Sequence, residues 1–138
     1  MSSYPKPLPE VTPLTKPFWE ASKRGELLLQ RCKNCSTYIW YPRHICINCG
    51  SRELEWVKAS GKGKVYSYTI VRQVIGNSPE FSKEIPFVVA EIELDEGARI
   101  CSNIVGVKPE DVSIGMPVEV FFEECTPEIS LPKFKPAR

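Results

Sequence analysis

Four of the six cysteines stand as two Cys-x-x-Cys pairs, Cys32/Cys35 and Cys46/Cys49, separated by ten residues. No other feature of the chain restricts its fold so strongly. A two-residue gap lets both sulfurs of a knuckle point at one ion while turn N–H groups donate to them and offset their negative charge. Ten residues suffice for a strand, a turn and a return, so two knuckles can face each other and complete a tetrahedron. Asn34, Asn48 and Gly50 are residue types that tolerate the tight turns this needs. Paired disulfides, a redox dithiol and a rubredoxin-type iron centre compete for the same pattern. A redox dithiol needs only one pair and a βαβ setting, which the sequence lacks. The pattern favours Zn²⁺ on Cys32, Cys35, Cys46 and Cys49, with iron the less favoured metal. Four sulfurs leave no open position for water or substrate, so this metal holds structure and does no chemistry. His44, the only histidine, reads as a surface residue beside Cys46.

A metal also answers a question of size. A chain of 138 residues fits one ordinary domain, or two very small ones if something other than an apolar core helps hold one of them together. The 13 prolines gather at the two ends and at segment junctions, which suits extended arms and punctuated strands rather than long helices. The N-terminus lacks the apolar core of a signal peptide, and no run approaches the ~18 to 20 apolar residues of a membrane span. The expectation is a soluble, cytoplasmic protein with no membrane partner. In a reducing compartment cysteine pairs point to metal rather than disulfides.

Along the chain, residues 1–30 read as a proline-rich arm, mobile until it meets a partner, followed by a short helix. That helix, over LTKPFWEASKRG, is capped by Thr15, has Pro17 near its start and stops at Gly25. Residues 31–58 form the zinc ribbon, with Tyr38-Ile39-Trp40-Tyr41 as its middle strand. Residues 59–138 carry β segments, KVYSYTIVRQVI, PFVVAEIELD, ARICSNIVGV, PVEVFFEEC and ISLPKF, separated mostly by Gly and Pro. Alternation assigns Val88, Ala90, Ile92 and Leu94 to a packed face and Val89, Glu91, Glu93 and Asp95 to the other. KPEDVSIGM suits one helical turn plus a loop. The fold class is mainly β: a helical arm, a zinc ribbon and a five-stranded OB-fold barrel, with an antiparallel sandwich as the alternative.

Several chemistries find little support. Cys101 and Cys125 could be nucleophiles, but an isolated strand cysteine is most often a small core residue, and no histidine is at hand to act as base. Glu91, Glu93 and Asp95 are spaced like a Mg²⁺ cluster, yet alternating carboxylates are usually a solvated face. Nucleic acid is the alternative partner, because Tyr38, Trp40 and Tyr41 lie beside Arg31, Lys33, Arg43 and Arg52 in a pattern that could stack bases. The segment from residue 59 onward, however, holds nine basic against twelve acidic groups, and a net negative barrel repels a polyanion.

Taken together, PFWEASKRGELLLQRCKNCSTYIWYPRHICINCGS, GKGKVYSYTIV, IPFVVAEIELDEGARI and IGMPVEVFFEE resemble the DUF35 family over about residues 14–124. The resemblance implies a rubredoxin-like zinc ribbon joined to an OB-fold, with all four cysteine ligands matched, and an archaeal member. It also implies a non-catalytic, acyl-CoA-binding scaffold of lipid metabolism, associated with a thiolase or related condensing enzyme and with HMG-CoA synthase. Coenzyme A needs a few cations and an apolar channel. Lys62, Lys64, Arg72 and Arg99 on the barrel, and Lys133, Lys135 and Arg138 on the tail, could supply the cations. Phe18 and Trp19, adjacent on one short helix, cannot face the same core, so one of them is expected to meet the ribbon or a partner. Deleting residues 1–24 is expected to weaken assembly with a thiolase without loss of zinc.

Overall fold

The computed structural model describes residues 4–73 and 79–137. Helix α1 spans Lys16–Lys23 and buries Phe18, Ala21 and Ser22, the i, i+3, i+4 spacing of one helical face. Thr15 occupies the N-cap, but its side chain does not cap the helix; it bonds Thr12 instead. At the other end Glu26 N–H donates to Ala21 O and Gly25 N–H to Ser22 O, at 2.9 and 3.0 Å. This is a Schellman closure, and Gly25 adopts the φ of 78° that it requires.

Strand β1 (Leu28–Cys32) is the centre of a three-stranded antiparallel sheet, with β2 (Tyr38–Ile39) on one side and β3 (Leu54–Lys58) on the other. The expected four-residue middle strand is thus only two residues long. Trp40 and Tyr41 leave the sheet, and Trp40 turns toward α1, its ring 4.9 Å from that of Phe18.

The remaining strands are β4 (Lys62–Val71), β5 (Phe87–Leu94), β6 (Arg99–Ile104), β7 (Pro117–Glu124) and β8 (Ser130–Pro136). They close into a barrel in the order β4-β5-β6-β8-β7, the five-stranded Greek-key arrangement expected. β6 and β8 meet in parallel at Ile104 and Phe134; the other pairs are antiparallel. A short helix, α2 (Pro79–Ser82), precedes β5, and a single 3-10 turn at Pro109–Asp111 precedes β7. The proposed extension of β4 over residues 74 and 75 lies outside the described residues.

Val88, Ala90, Ile92 and Leu94 all point inward and are buried, joined by Val65, Ile100, Val118 and a fully buried Phe134. Burial of side chains this size contributes about 1.5–3 kcal/mol each. Phe18, Leu27 and Leu29 belong to the same cluster, so helix, ribbon and barrel share one core. Phe18, 3% exposed, meets the ribbon through Trp40, as one residue of the Phe18–Trp19 pair was expected to do. Deleting residues 1–24 would strip this core element, so it is not a clean test of assembly.

The arm is pinned rather than loose. Lys6 Nζ sits 2.7 Å from Glu84 Oε2 and lies over the rings of Tyr4 and Phe81. Burial and a hydrogen bond with Cys125 push the Tyr4 phenol up to about 12.

Two outcomes are expected. A Cβ at Gly63 would collide with the Glu93 carbonyl on β5, so Gly63→Ala should cost about 1–3 kcal/mol in urea unfolding. The neutral Tyr4 phenol is favoured in the folded arm, whose contribution is complete below the unfolded pKa of about 10 and is lost as pH rises through about 12. In a phenolate absorbance titration, Tyr4→Phe should therefore remove a late step.

Candidate metal centre and adjoining groove

Backbone hydrogen bonds shape each knuckle alike: Ser36 N–H closes on Cys32 O, and Gly50 N–H on Cys46 O. They bring the four sulfurs within 4.8 Å of one another. Sγ of Cys32 and Cys49, and of Cys35 and Cys46, lie 3.6 Å apart. That is far beyond a disulfide bond. It is close to the edge of about 3.8 Å that a tetrahedron with metal–sulfur bonds of about 2.3 Å would have. The donor set and spacing fit a structural metal, and no other cluster among the described residues does.

Hydrogen-bond donors are aimed at all four sulfurs. Cys35 N–H donates to Cys32 Sγ at 3.5 Å and Asn48 N–H to Cys46 Sγ at 3.3 Å. Each knuckle then reaches across to the other: Asn34 Nδ2 donates to Cys49 Sγ and Asn48 Nδ2 to Cys35 Sγ, both at 3.5 Å. Thr37 Oγ1 lies 3.1 Å from Cys35 Sγ. Thr37 and Asn48 together hold the Cys35 thiol down at about 5, and Asn34 lowers Cys49. Cys32 moves the other way. The Cys35 N–H favours its thiolate, but burial and the adjacent Cys49 and Cys35 thiols outweigh that and raise it.

The amide donors were not foreseen, since Asn34 and Asn48 had been read only as turn formers. Their signal was the repeated pattern Cys-x-Asn-Cys in both knuckles. Gln30 was also missed. Buried on β1, its side-chain amide donates to Arg43 O at 2.9 Å and accepts from Arg43 N–H at 2.7 Å, tying the second knuckle's approach to the central strand.

Where the ribbon meets α1 and the barrel runs an apolar groove of about 340 Å³. Its walls are Phe18 and Trp19 from α1, residues 40–42 from the ribbon, and residues 100–103 and 131–133 from β6 and β8. Phe18 and Trp19 pack edge to face at 4.9 Å, and both line the groove. Ser102 and Asn103 spend their side-chain donors on Pro132 O and Val88 O. Lys133 spends its charge on Glu123, 2.6 Å away. The groove therefore presents mainly carbon.

Cys101 is exposed along this groove, contrary to the expectation of a core cysteine; Ile100 takes the inward position instead. Cys125 is half-buried after β7. Among the predicted cations, Lys64 and Arg99 converge on Glu93, at 3.8 and 3.4 Å, and Arg99 stacks 3.7 Å over Tyr66. Lys62 shares their end of the barrel, whereas Arg72 stands beyond the opposite end of β4, so the four do not converge. Lys135 pairs with Glu119, and Arg138 lies outside the described residues. Glu91 and Asp95 are exposed and form no metal cluster with Glu93. Arg31 is paired with Glu55, and Tyr38 and Trp40 are packed against the core, which removes most of the base-stacking patch.

Residues 19–55 match the ChsH2 rubredoxin-like zinc ribbon domain and residues 56–123 the ChsH2 C-terminal OB-fold domain. A DUF35 domain-containing scaffold protein of Methanothermobacter thermautotrophicus is 35% identical over 86% of this chain and 87% of its own length. The chain belongs to the DUF35 family. Another relative of this DUF35 protein is a "Probable enoyl-CoA hydratase alpha subunit" of Thermomonospora curvata, 43% identical over 87% of this chain but only 37% of the relative's length. A benzoylsuccinyl-CoA thiolase subunit, BbsA, of Geobacter metallireducens is 31% identical over 71% of this chain and 65% of its own length. The solved Ltp2–ChsH2(DUF35) aldolase superposes with a TM-score of 0.83 at 38% identity, covering 95% of this chain and 100% of that one.

The crossed amides carry a prediction. Asn34→Ala/Asn48→Ala should weaken metal retention about 10- to 100-fold in a chelator competition, as for other groups that support metal ligands, with the barrel's amide-exchange protection unchanged.

Proposed function

We propose that this DUF35 protein is a non-catalytic scaffold subunit that carries a structural Zn²⁺ on Cys32, Cys35, Cys46 and Cys49. It associates with a thiolase-, aldolase- or hydratase-type CoA enzyme and lodges the acyl portion of a CoA thioester. The observation that carries this reading is the groove itself. It is apolar and is walled jointly by helix, ribbon and barrel, in a chain whose metal centre has a sulfur shell with no vacancy for a reacting group. The names of the relatives, a hydratase subunit, a thiolase subunit and an aldolase complex, agree on the class of enzyme.

Zinc rather than iron is favoured because a purely structural role exploits a metal without redox chemistry. Trp19, partly buried along the groove, is the aromatic placed to meet ligand or partner. Arg99 stands two residues along β6 from Cys101 on the same strand face, which makes it, with Lys64, the cation best placed for phosphates. HMG-CoA synthase belongs to the same class of partner.

The test is a titration of the purified chain with acetoacetyl-CoA, followed by tryptophan fluorescence, to which Trp19 and Trp40 on the groove and Trp56 on β3 contribute, alongside co-expression with the thiolase of the same genome. Elemental analysis should return one zinc per chain. A saturable response to the thioester, co-elution with the enzyme and no turnover by the isolated chain are expected. Salt-sensitive binding of a single-stranded oligonucleotide without any thioester response, or chelator-sensitive turnover, would overturn the proposal.

A further inference from the structure

The second knuckle carries an apolar tip that the fold does not use. Ile45 and Ile47, which flank the buried Cys46, are 47% and 61% exposed, and Tyr41 just upstream, its ring 5.1 Å from that of Trp40, is 56% exposed. The equivalent of Ile47 in the first knuckle is Lys33, so the Cys-x-Asn-Cys turn does not itself call for an apolar side chain. Arg43 lines the same depression as Ile45 and Ile47, and of the ribbon's exposed charges without an ion pair among the described residues three are positive, Lys33, Arg43 and Arg52, against one negative, Glu53; Arg31 and Lys58 are already matched by Glu55 and Glu26. A cluster of carbon on a ribbon with net unmatched positive charge is the anatomy of a protein interface rather than of a solvated face.

We infer that this knuckle is the docking surface for the CoA enzyme, and that the enzyme offers an apolar socket flanked by carboxylates. The inference rests on the scaffold reading above. Two observations select such an enzyme. The unpaired charges of the ribbon are net positive, three basic to one acidic, so a complementary surface is acidic. Tyr41 and Pro42 also line the apolar groove, and Pro42 lies with Ile45 and Ile47 in the depression beside the knuckle. A partner seated on the tip therefore abuts the mouth of the groove, where a thioester would pass between the two proteins. A second copy of this chain could offer its acidic barrel but no active site to receive that ligand.

The experiment compares the native chain with Ile45→Ser/Ile47→Ser and Arg43→Glu/Arg52→Glu in sedimentation and surface-plasmon measurements against the co-expressed thiolase of the same genome. These side chains are exposed, and metal content and unfolding midpoint should match the native chain. At least a tenfold loss of affinity is expected in each variant, with the salt dependence of association reduced in the charge-reversed one. Native-like affinity of Ile45→Ser/Ile47→Ser overturns the docking assignment while leaving the scaffold reading intact. Failure of the native chain to bind the enzyme removes both. Self-association of the native chain that the serine variant abolishes assigns the tip to a second copy and overturns the proposal.

Discussion

Four sulfurs gathered within 4.8 Å cannot stay together as bare thiolates, and everything in the ribbon follows from the cation that reconciles them. The sheet on which they sit is small: β2 contributes two residues, and the ribbon's own buried cluster contains only Cys32, Cys46 and Ile39. The knuckles have little apolar burial of their own, since the ribbon's larger apolar side chains, Leu29, Tyr38, Trp40 and Trp56, pack toward the barrel's core instead. Coordination supplies the missing stabilisation, as in other small metal domains. The backbone and asparagine donors aimed at the sulfurs show a chain shaped to hold negative charge at one point.

That rigidity is transmitted because the ribbon is not tethered by a linker. β1 follows α1 after a single tight turn, and Leu27 and Leu29 enter the barrel's core. Trp40 leaves the ribbon sheet and lands on Phe18. The groove therefore has walls from three elements whose relative positions are set by one shared set of apolar contacts.

Much of this was legible in the residues, and the parts that were not have a common cause. Cysteine spacing is local geometry, so the ligand set could be read directly. Strand alternation is local too: Val88, Ala90, Ile92 and Leu94 were assigned inward correctly, and the same rule applied to β6 would have put Ile100 in and Cys101 out. A general preference for buried cysteines obscured it. The cations were harder, because whether Lys64 and Arg99 meet depends on the pairing of β4, β5 and β6 around Glu93. Proline content suggested a loose arm, whereas Tyr4 and Lys6 find partners roughly 80 to 120 positions away in the chain, contacts that no local pattern can announce.

Those distant contacts set an order of events. Tyr4 and Lys6 are made well before Glu84, and Glu84 before Glu123 and Cys125, so the arm cannot be pinned until β7 has been made. The four cysteines of the ribbon precede all of those partners. The arm thus takes its place only after the whole metal site has left the ribosome.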